Sequence, residues 1–453
     1  MRILTIDVGS SSIKAGVFKR GKLKRLVQVP IVAATLGQQV EVPAVELLKA
    51  FRLAMVQAMD GYKKLDALAI DTFCPGLVAQ DKQGRVIAGC ITHQDRRSKK
   101  QAIELEKRIG ARRHLELVGN LPFPGGMAST SLLWLRENEP ALFKRIHRIG
   151  QPTTLLVHAL TGQWVIDPSQ AAFLGLYDAV HLSGWVDELL DTVGVKKNQL
   201  PEILFADEIA GTITPAAARE LNLPAGCPVF SGMVDTSAAM LATDCRPGRL
   251  VHSAGSTDVL ALCLSAAHPA ADILTRPLGT GKYSPKRWLA VSTIAAGGSS
   301  VKWAHENLFA DHSSKAFYKL LRKLTDQLME KAGGGPVTDE VVFSPWLAGD
   351  RTSVETRRAA FSNLTLASTR EQMLGAMLES LAQASRQRFS RLCDIHKPQT
   401  DIFTMGGQRE LADLMHHHWP GKWNFMPLKN QAIGGLCCMV ANLPTAAPRA
   451  GEG

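Results

Sequence analysis

The feature that most constrains this chain is a strand-turn-strand device that occurs twice. The first copy, Ile3 to Phe18 (ILTIDVGSSSIKAGVF), runs an apolar strand into a Gly-Ser turn and returns as a second apolar strand. The second copy, Leu250 to Leu262 (LVHSAGSTDVLAL), repeats the pattern in the other half. Consecutive small residues let backbone N–H groups converge on one anion, the arrangement that holds phosphate oxygens. Either turn alone reads first as a plain hairpin connection. Their recurrence, with Asp7 at a strand end as a hard oxygen ligand for magnesium, points to a duplicated fold closing on a polyphosphate.

At 453 residues the chain has room for two or three domains, and 45% hydrophobic with 21% charged residues excludes a disordered protein. No apolar run approaches the roughly 20 residues needed to span a bilayer, and the N-terminus enters a strand without a leader-like segment. A cytoplasmic location with no membrane partner is expected. The eight cysteines form no CxxC pair, and most sit in apolar contexts that suit small buried hydrophobes better than disulfides or metal ligands. The run His416-His417-His418 reads as surface. A net charge of +11 raises nucleic-acid binding, but the basic clusters Arg96 to Lys100 and Arg112-Arg113 lack an aromatic-interleaved recognition module. Attraction for anionic metabolites accounts for them as well, and no nucleic-acid partner is expected.

Beyond the first hairpin the pattern predicts a strand over Leu23 to Val29, a helix over Val45 to Met59 and a buried strand over Ala67 to Asp71. A three-strand meander followed by helix and strand is the opening of a ribonuclease-H-like fold. Helices are expected over Leu132 to Pro140 and Thr153 to Leu160, the latter stopped by Gly162. The strand Pro228 to Phe230 leads through Gly232 to Asp235 into a helix over Thr236 to Ala242. The second half predicts strands at Leu250 to Ser253, Val259 to Leu264, Trp288 to Ser292 and Asp401 to Met405, and helices at Gly298 to Trp303, Arg370 to Leu392, Arg409 to His416 and Gln431 to Val440. Lys331 to Pro336 reads as a flexible loop. The boundary is placed near Thr243 to Gly248, giving domains 1–243 and 244–453.

An ordered series of motifs carries a resemblance. It comprises Asp7 to Lys14, His93 to Arg97, Leu133 to Pro140, Leu160 to Gly162, Gly232 to Asp235, Gly255 to Thr257, Pro345 to Thr352 and Gly406-Gly407. In this order the chain resembles the FGGY family of carbohydrate kinases, its xylulose-kinase-like branch in particular, within the actin-like ATPase superfamily. The resemblance implies an α/β protein of two ribonuclease-H-like domains with an interdomain active-site cleft. It implies ATP-dependent phosphorylation of a sugar hydroxyl, a ketose such as xylulose or ribulose in the first place. Glycerol, polyol or sedoheptulose kinase, and a non-catalytic actin-like nucleotide switch, are the alternatives. ATP and Mg2+ are the implied cofactors, a small sugar the partner, and a homodimer one assembly left open.

Residue by residue, the resemblance makes Asp235 the catalytic base and Asp7 the organiser of magnesium. Gly9, Ser10, Ser11, Ser12 and Lys14 match the first phosphate loop, and Gly255, Ser256 and Thr257 the second. Gly406, Gly407 and Gln408 match the adenosine site, to which Gly298 also contributes. For the sugar, Asp95 accepts from hydroxyls and Arg96 donates, with His93 replacing the family's aromatic residue. Phe73-Cys74-Pro75 stand where pentulose kinases commonly carry Gln-Met-His, so Phe73 is placed at the sugar and the imidazole donor is missing. Thr236 in place of Asn, Ser131 of Lys, Asn363 of Gly and Asp350 of Glu are further departures, bearing on the substrate more than on the reaction.

Overall fold

The computed structural model describes residues 1–330, 341–350, 352–428 and 430–442; the loop expected at Lys331 to Pro336 lies outside the described residues. Two compact units emerge, and neither is continuous in sequence. Unit 1 gathers Met1–Cys245, Ser265–Leu289 and the late helix Gln431–Asn442; unit 2 gathers Arg246–Leu264 and Ala290–Leu428.

The main sheet of unit 1 orders its strands Ile209–Thr212, Pro228–Phe230, Ala67–Thr72, Arg2–Val8, Ser12–Lys19 and Lys22–Pro30, with Met233–Val234 also pairing with Ala67–Thr72. The first three strands in sequence form the expected antiparallel meander, and Arg2–Val8 then pairs in parallel with Ala67–Thr72. Parallel strands need both faces covered. Helix Ala44–Met59 covers one face, packing Leu47, Phe51 and Met55 with Ile13, Ala15 and Val17. Each of the larger of these side chains contributes about 1.5–3 kcal/mol on full burial. Helix Gln431–Asn442 covers the other face, with Ile433 against Gly16.

Local signals explain several element ends. Helix Pro152–Thr161 starts with proline in its first turn and stops at Gly162, whose φ of 77° supplies a left-handed cap. Thr369 and Gln372 form a capping box at the start of Arg370–Ile395. A second sheet of unit 1, running Ala34–Leu36, Gln39–Val42, Val86–Thr92, Gly76–Gln80 and Arg148–Gly150, carries no strand that the sequence pattern identified.

Unit 2 repeats the device. Leu250–Ala254 pairs antiparallel with Asp258–Leu264 and parallel with Asp401–Met405, which pairs in parallel with Asn424–Pro427. The two hairpin turns close alike: Gly9 N–H donates to Ser12 O at 2.9 Å, and Gly255 N–H to Thr257 O at 3.0 Å. Five of the eight cysteines are buried, consistent with hydrophobic packing. The three adjacent histidines depart from the surface reading. Only His417 is exposed; His416 stacks on Phe425 at 3.8 Å, and His418 lies 3.1 Å from Glu379.

Helix Gln431–Asn442 approaches helix Asp235–Leu241 so closely that a Cβ on Gly435 would collide with Ala238 O and sit 3.0 Å from Ala242 N. Backbone cannot yield there as a flexible side chain would. Gly435→Ala should therefore lower the melting temperature, at a cost of about 1–3 kcal/mol. An unchanged melt would show that the two helices pack less tightly than described.

Candidate active site

Three carboxylates converge at the carboxyl ends of neighbouring parallel strands of unit 1. The register pairs Asp7 with Asp71, and Met233 and Val234 with Asp71 and Thr72, so that Asp235 follows at the same edge. Ligands of open α/β sheets gather at that edge. Gly232 makes the arrangement possible. At φ 89° it passes so near Ile70 that a Cβ would lie 2.8 Å from the Ile70 carbonyl oxygen.

Asp235 opens the helix Asp235–Leu241, and its Oδ1 accepts the Thr236 N–H at 2.6 Å. Burial raises its pKa, the Asp7 charge adds to this, and the Thr236 N–H and Arg276 oppose it. Lys14 Nζ lies 3.5 Å from Asp7 Oδ2 and donates to Gln431 Oε1 at 3.2 Å. Beside the Asp7 strand end, the turn of Gly9, Ser10 and Ser11 is braced where Ile31 N–H donates to Ser11 O at 2.9 Å and Gln28 Nε2 to Ser12 Oγ at 3.1 Å.

Asp71 was not among the site residues read from sequence. It is fully buried, and neither carboxyl oxygen accepts an N–H or O–H from the described residues. Burial, then the charges of Asp7 and Asp235, hold its pKa well above the usual carboxylate range, and the protonated form can donate to Asp7. Its signal was a repeated tetrad: Leu4-Thr5-Ile6-Asp7 and Leu68-Ala69-Ile70-Asp71 pair position for position.

The residues placed at the sugar are held less openly. Asp95 is fully buried; its carboxylate takes the Arg97 Nε–H at 2.9 and 3.1 Å, the Arg97 N–H at 3.0 Å and the Val40 N–H at 2.8 Å. Arg97, not singled out from sequence, also pairs with Glu41 at 2.6 Å and lies over the Trp134 ring at 5.1 Å. Arg96 donates to Pro124 O at 2.9 Å, and His93 is buried on the same turn. Phe73 is packed into the core, its N–H donating to Val8 O at 2.6 Å, while its neighbour Cys74 is partly exposed.

In unit 2 the structure brings together the residues assigned to the second phosphate loop and the adenosine site. Gly298 N–H donates to Gly255 O at 2.9 Å, Ser299 N–H to Ser256 O at 3.0 Å, and Gln408 N–H to Ala254 O at 3.3 Å. The glycines there differ in kind. Gly406, at φ 106°, and Gly298 abut protein atoms that a Cβ would strike, whereas a Cβ on Gly407 would meet nothing within 4 Å and one on Gly255 only Thr257 O at 3.6 Å. Among the described residues of the unit, nothing stands where a Cβ at 255 or 407 would clash.

Behind the second loop lies a network that sequence reading missed. His252 Nε2 meets Asp258 Oδ1 at 2.6 Å, His252 Nδ1 meets His416 Nε2 at 2.7 Å, and Arg388 pairs with Asp258. Burial alone would raise the pKa of Asp258, but Arg388 and His252 hold it well below the carboxylate range; burial pushes His416 down to about 3. The loop is thus fixed on both strands by this network.

The raised pKa of Asp71 has a sign that can be checked. The native state holds a proton that the unfolded chain releases above about pH 4, so wild-type stability falls as pH rises through that window. Asp71→Asn removes this loss. In buffer without divalent cations, the melting temperature of the variant should rise relative to wild type as the pH is raised above about 4. A difference that does not vary with pH would contradict a buried neutral acid at this position.

Residues 2–242 match the profile of the FGGY family of carbohydrate kinases, N-terminal domain, and residues 250–416 that of its C-terminal domain. Xylulose kinase of Escherichia coli is 28% identical over 77% of the chain and 70% of its own length. Xylulose kinase of Lactococcus lactis subsp. lactis is 25% identical over 92% of the chain and 85% of its own length. The solved xylulose kinase of Rhodospirillum rubrum, 22% identical, superposes with a TM-score of 0.83 over 97% of the chain and 89% of that structure. The fold is the mixed α/β, two-domain fold of that family, and among the described residues no helix is long and apolar enough to cross a membrane. With both of its domain profiles matched in order, the chain belongs to the FGGY family of carbohydrate kinases.

Proposed function

We propose that this carbohydrate kinase transfers the γ-phosphoryl group of ATP to a hydroxyl of a ketopentose, xylulose or ribulose in the first place, in the cytoplasm. The observation that carries the chemistry is Asp235. It is a carboxylate at the carboxyl edge of parallel strands, raised in basicity by burial and by Asp7, at a helix start beside the Gly9 to Ser12 turn. The choice of sugar is supported by the relatives, which include xylulose kinases at 28% and 25% identity.

Phosphoryl transfer asks the protein chiefly for positioning and neutralisation of charge. Asp235 accepts the proton of the sugar hydroxyl as that oxygen bonds to the γ-phosphorus and the bond to the β–γ bridging oxygen breaks, leaving sugar phosphate and ADP. Gly9 N–H is engaged within its turn, which leaves the backbone and hydroxyls of Ser10 and Ser11 for phosphate oxygens. Gly255 to Thr257 receive the second set, and the open space at Gly407 beside Gln408 suits the adenosine.

Magnesium fits as an ion held mainly by phosphates and water. Among the described residues no three acidic, His or Cys side chains form a metal cage, and Asp7, with the protonated Asp71 beside it, offers the one carboxylate that Mg2+ can take alongside phosphates and water. When bound, it would neutralise phosphate charge.

In an ADP-release assay over sugars and polyols, a ketopentose should be turned over. Activity on glycerol alone, or on no sugar despite ATP binding, would replace this reading with the polyol or the non-catalytic one. Asp235→Asn should lower kcat by about 10²–10⁴ while nucleotide affinity stays nearly intact; near wild-type kcat would refute the base assignment. Gly255→Val should weaken ATP binding in calorimetry without lowering the melting temperature, because a Cβ there meets only Thr257 O, at an ordinary contact distance of 3.6 Å. Unchanged affinity in the folded variant would leave the second hairpin as structure alone.

A further inference from the structure

One charged residue close to Asp235 has no role in the mechanism above. Arg276 lies on the strand Leu274–Pro277 and is only 2% exposed. Its backbone is fixed one residue earlier, where Thr275 N–H donates to Asn120 Oδ1 and Asn120 Nδ2 donates back to Thr275 O, both at 2.7 Å. The guanidinium lies 5.7 Å from the Phe173 ring centre. Among the described residues its side chain makes one hydrogen bond, Nη2–H to Thr236 Oγ1 at 2.5 Å, and its buried Nε–H has no acceptor. Thr236 in turn donates its N–H to Asp235 Oδ1 at 2.6 Å.

A buried guanidinium is costly unless it interacts with charge. The acidic groups that Arg276 faces are Asp235 first and then Asp167, and at Asp235 it opposes the repulsion of Asp7. The chain from Asn120 through Arg276 to Thr236 ends on the carboxylate itself. Thr236, noted as a departure where the related branch usually carries Asn, supplies a short hydroxyl that a guanidinium can reach.

We propose that Arg276 is a positioning residue for phosphoryl transfer: through Thr236 it holds the first turn of the helix Asp235–Leu241, and so the Asp235 carboxylate, in the orientation from which it takes the sugar proton. A misplaced base loses turnover before it loses substrate affinity. The role therefore shows in kcat and in the coupling between the two residues.

The test compares Arg276→Met, Arg276→Lys, Thr236→Val and the double variant Arg276→Met/Thr236→Val, with a ketopentose and ATP. Arg276→Met and Thr236→Val should each lower kcat by about tenfold or more, with sugar KM and ATP affinity within about twofold of wild type. Arg276→Lys, which keeps the charge, should recover part of the loss. The double variant should be no slower than the slower single, as expected of residues acting in one chain. Wild-type kcat in Arg276→Met, a raised KM at unchanged kcat, or losses that multiply in the double variant would overturn the proposal. Should Arg276→Met fail to fold, Thr236→Val decides: it keeps the side-chain shape, and wild-type kcat there overturns the proposal equally. The inference rests on Asp235 as base, so Asp235→Asn is measured beside these. Near wild-type turnover in that variant removes the base reading and this inference with it, whereas an inactive Asp235→Asn with an unaffected Arg276→Met removes this inference alone.

Discussion

The parallel pairing of Arg2–Val8 with Ala67–Thr72 sets Asp7 directly beside Asp71, and the chemistry of unit 1 depends on that register. A slip of one residue would turn Asp7 and the neighbouring apolar side chains to opposite faces. Gly232 extends the same edge by letting Met233–Val234 lie against Asp71 and Thr72, which delivers Asp235 to the edge at the start of a helix. Three carboxylates in one buried neighbourhood cannot all ionise cheaply. Asp71 is shifted furthest, and Asp7 and Asp235 flank it through the pairing of strands.

Unit 2 builds a comparable turn from the same hairpin but secures it differently. Where the first turn stands beside carboxylates, the second has Asp258 neutralised by Arg388 and His252 directly behind it, and His416 kept in its neutral form by burial. A fully partnered buried network rigidifies what it holds. The glycines then divide the labour. Gly298 and Gly406 let segments pass one another, while Gly255 and Gly407 keep the outer surface of the loop bare.

What could be read from sequence was what local periodicity and turn chemistry encode. The meander, the helix at Ala44–Met59, the stop at Gly162 and the long helix from Arg370 follow from spacing and caps within a few residues of each other. The carboxylate edge was half legible. Asp7 and Asp235 stand next to glycines that announce them, while Asp71 ends an unmarked apolar strand and gains its meaning only from the tetrad it pairs with. Asp95 with Arg97 shows the opposite limit: the motif is visible, but that the carboxylate is consumed by its own neighbour and by Val40 depends on a distant strand. Arg276 carries no local signature, because Thr236 lies 40 residues away, and although His252 and Asp258 face each other six residues apart across the second hairpin, what completes their network, His416, lies 164 residues from His252.

Whether Asp235 faces the reacting hydroxyl is tested most directly by a crystal structure with a ketopentose and a non-hydrolysable ATP analogue. A sugar hydroxyl oxygen should lie within about 3 Å of an Asp235 carboxylate oxygen. A sugar bound elsewhere, with no hydroxyl in reach of Asp235, would contradict that placement.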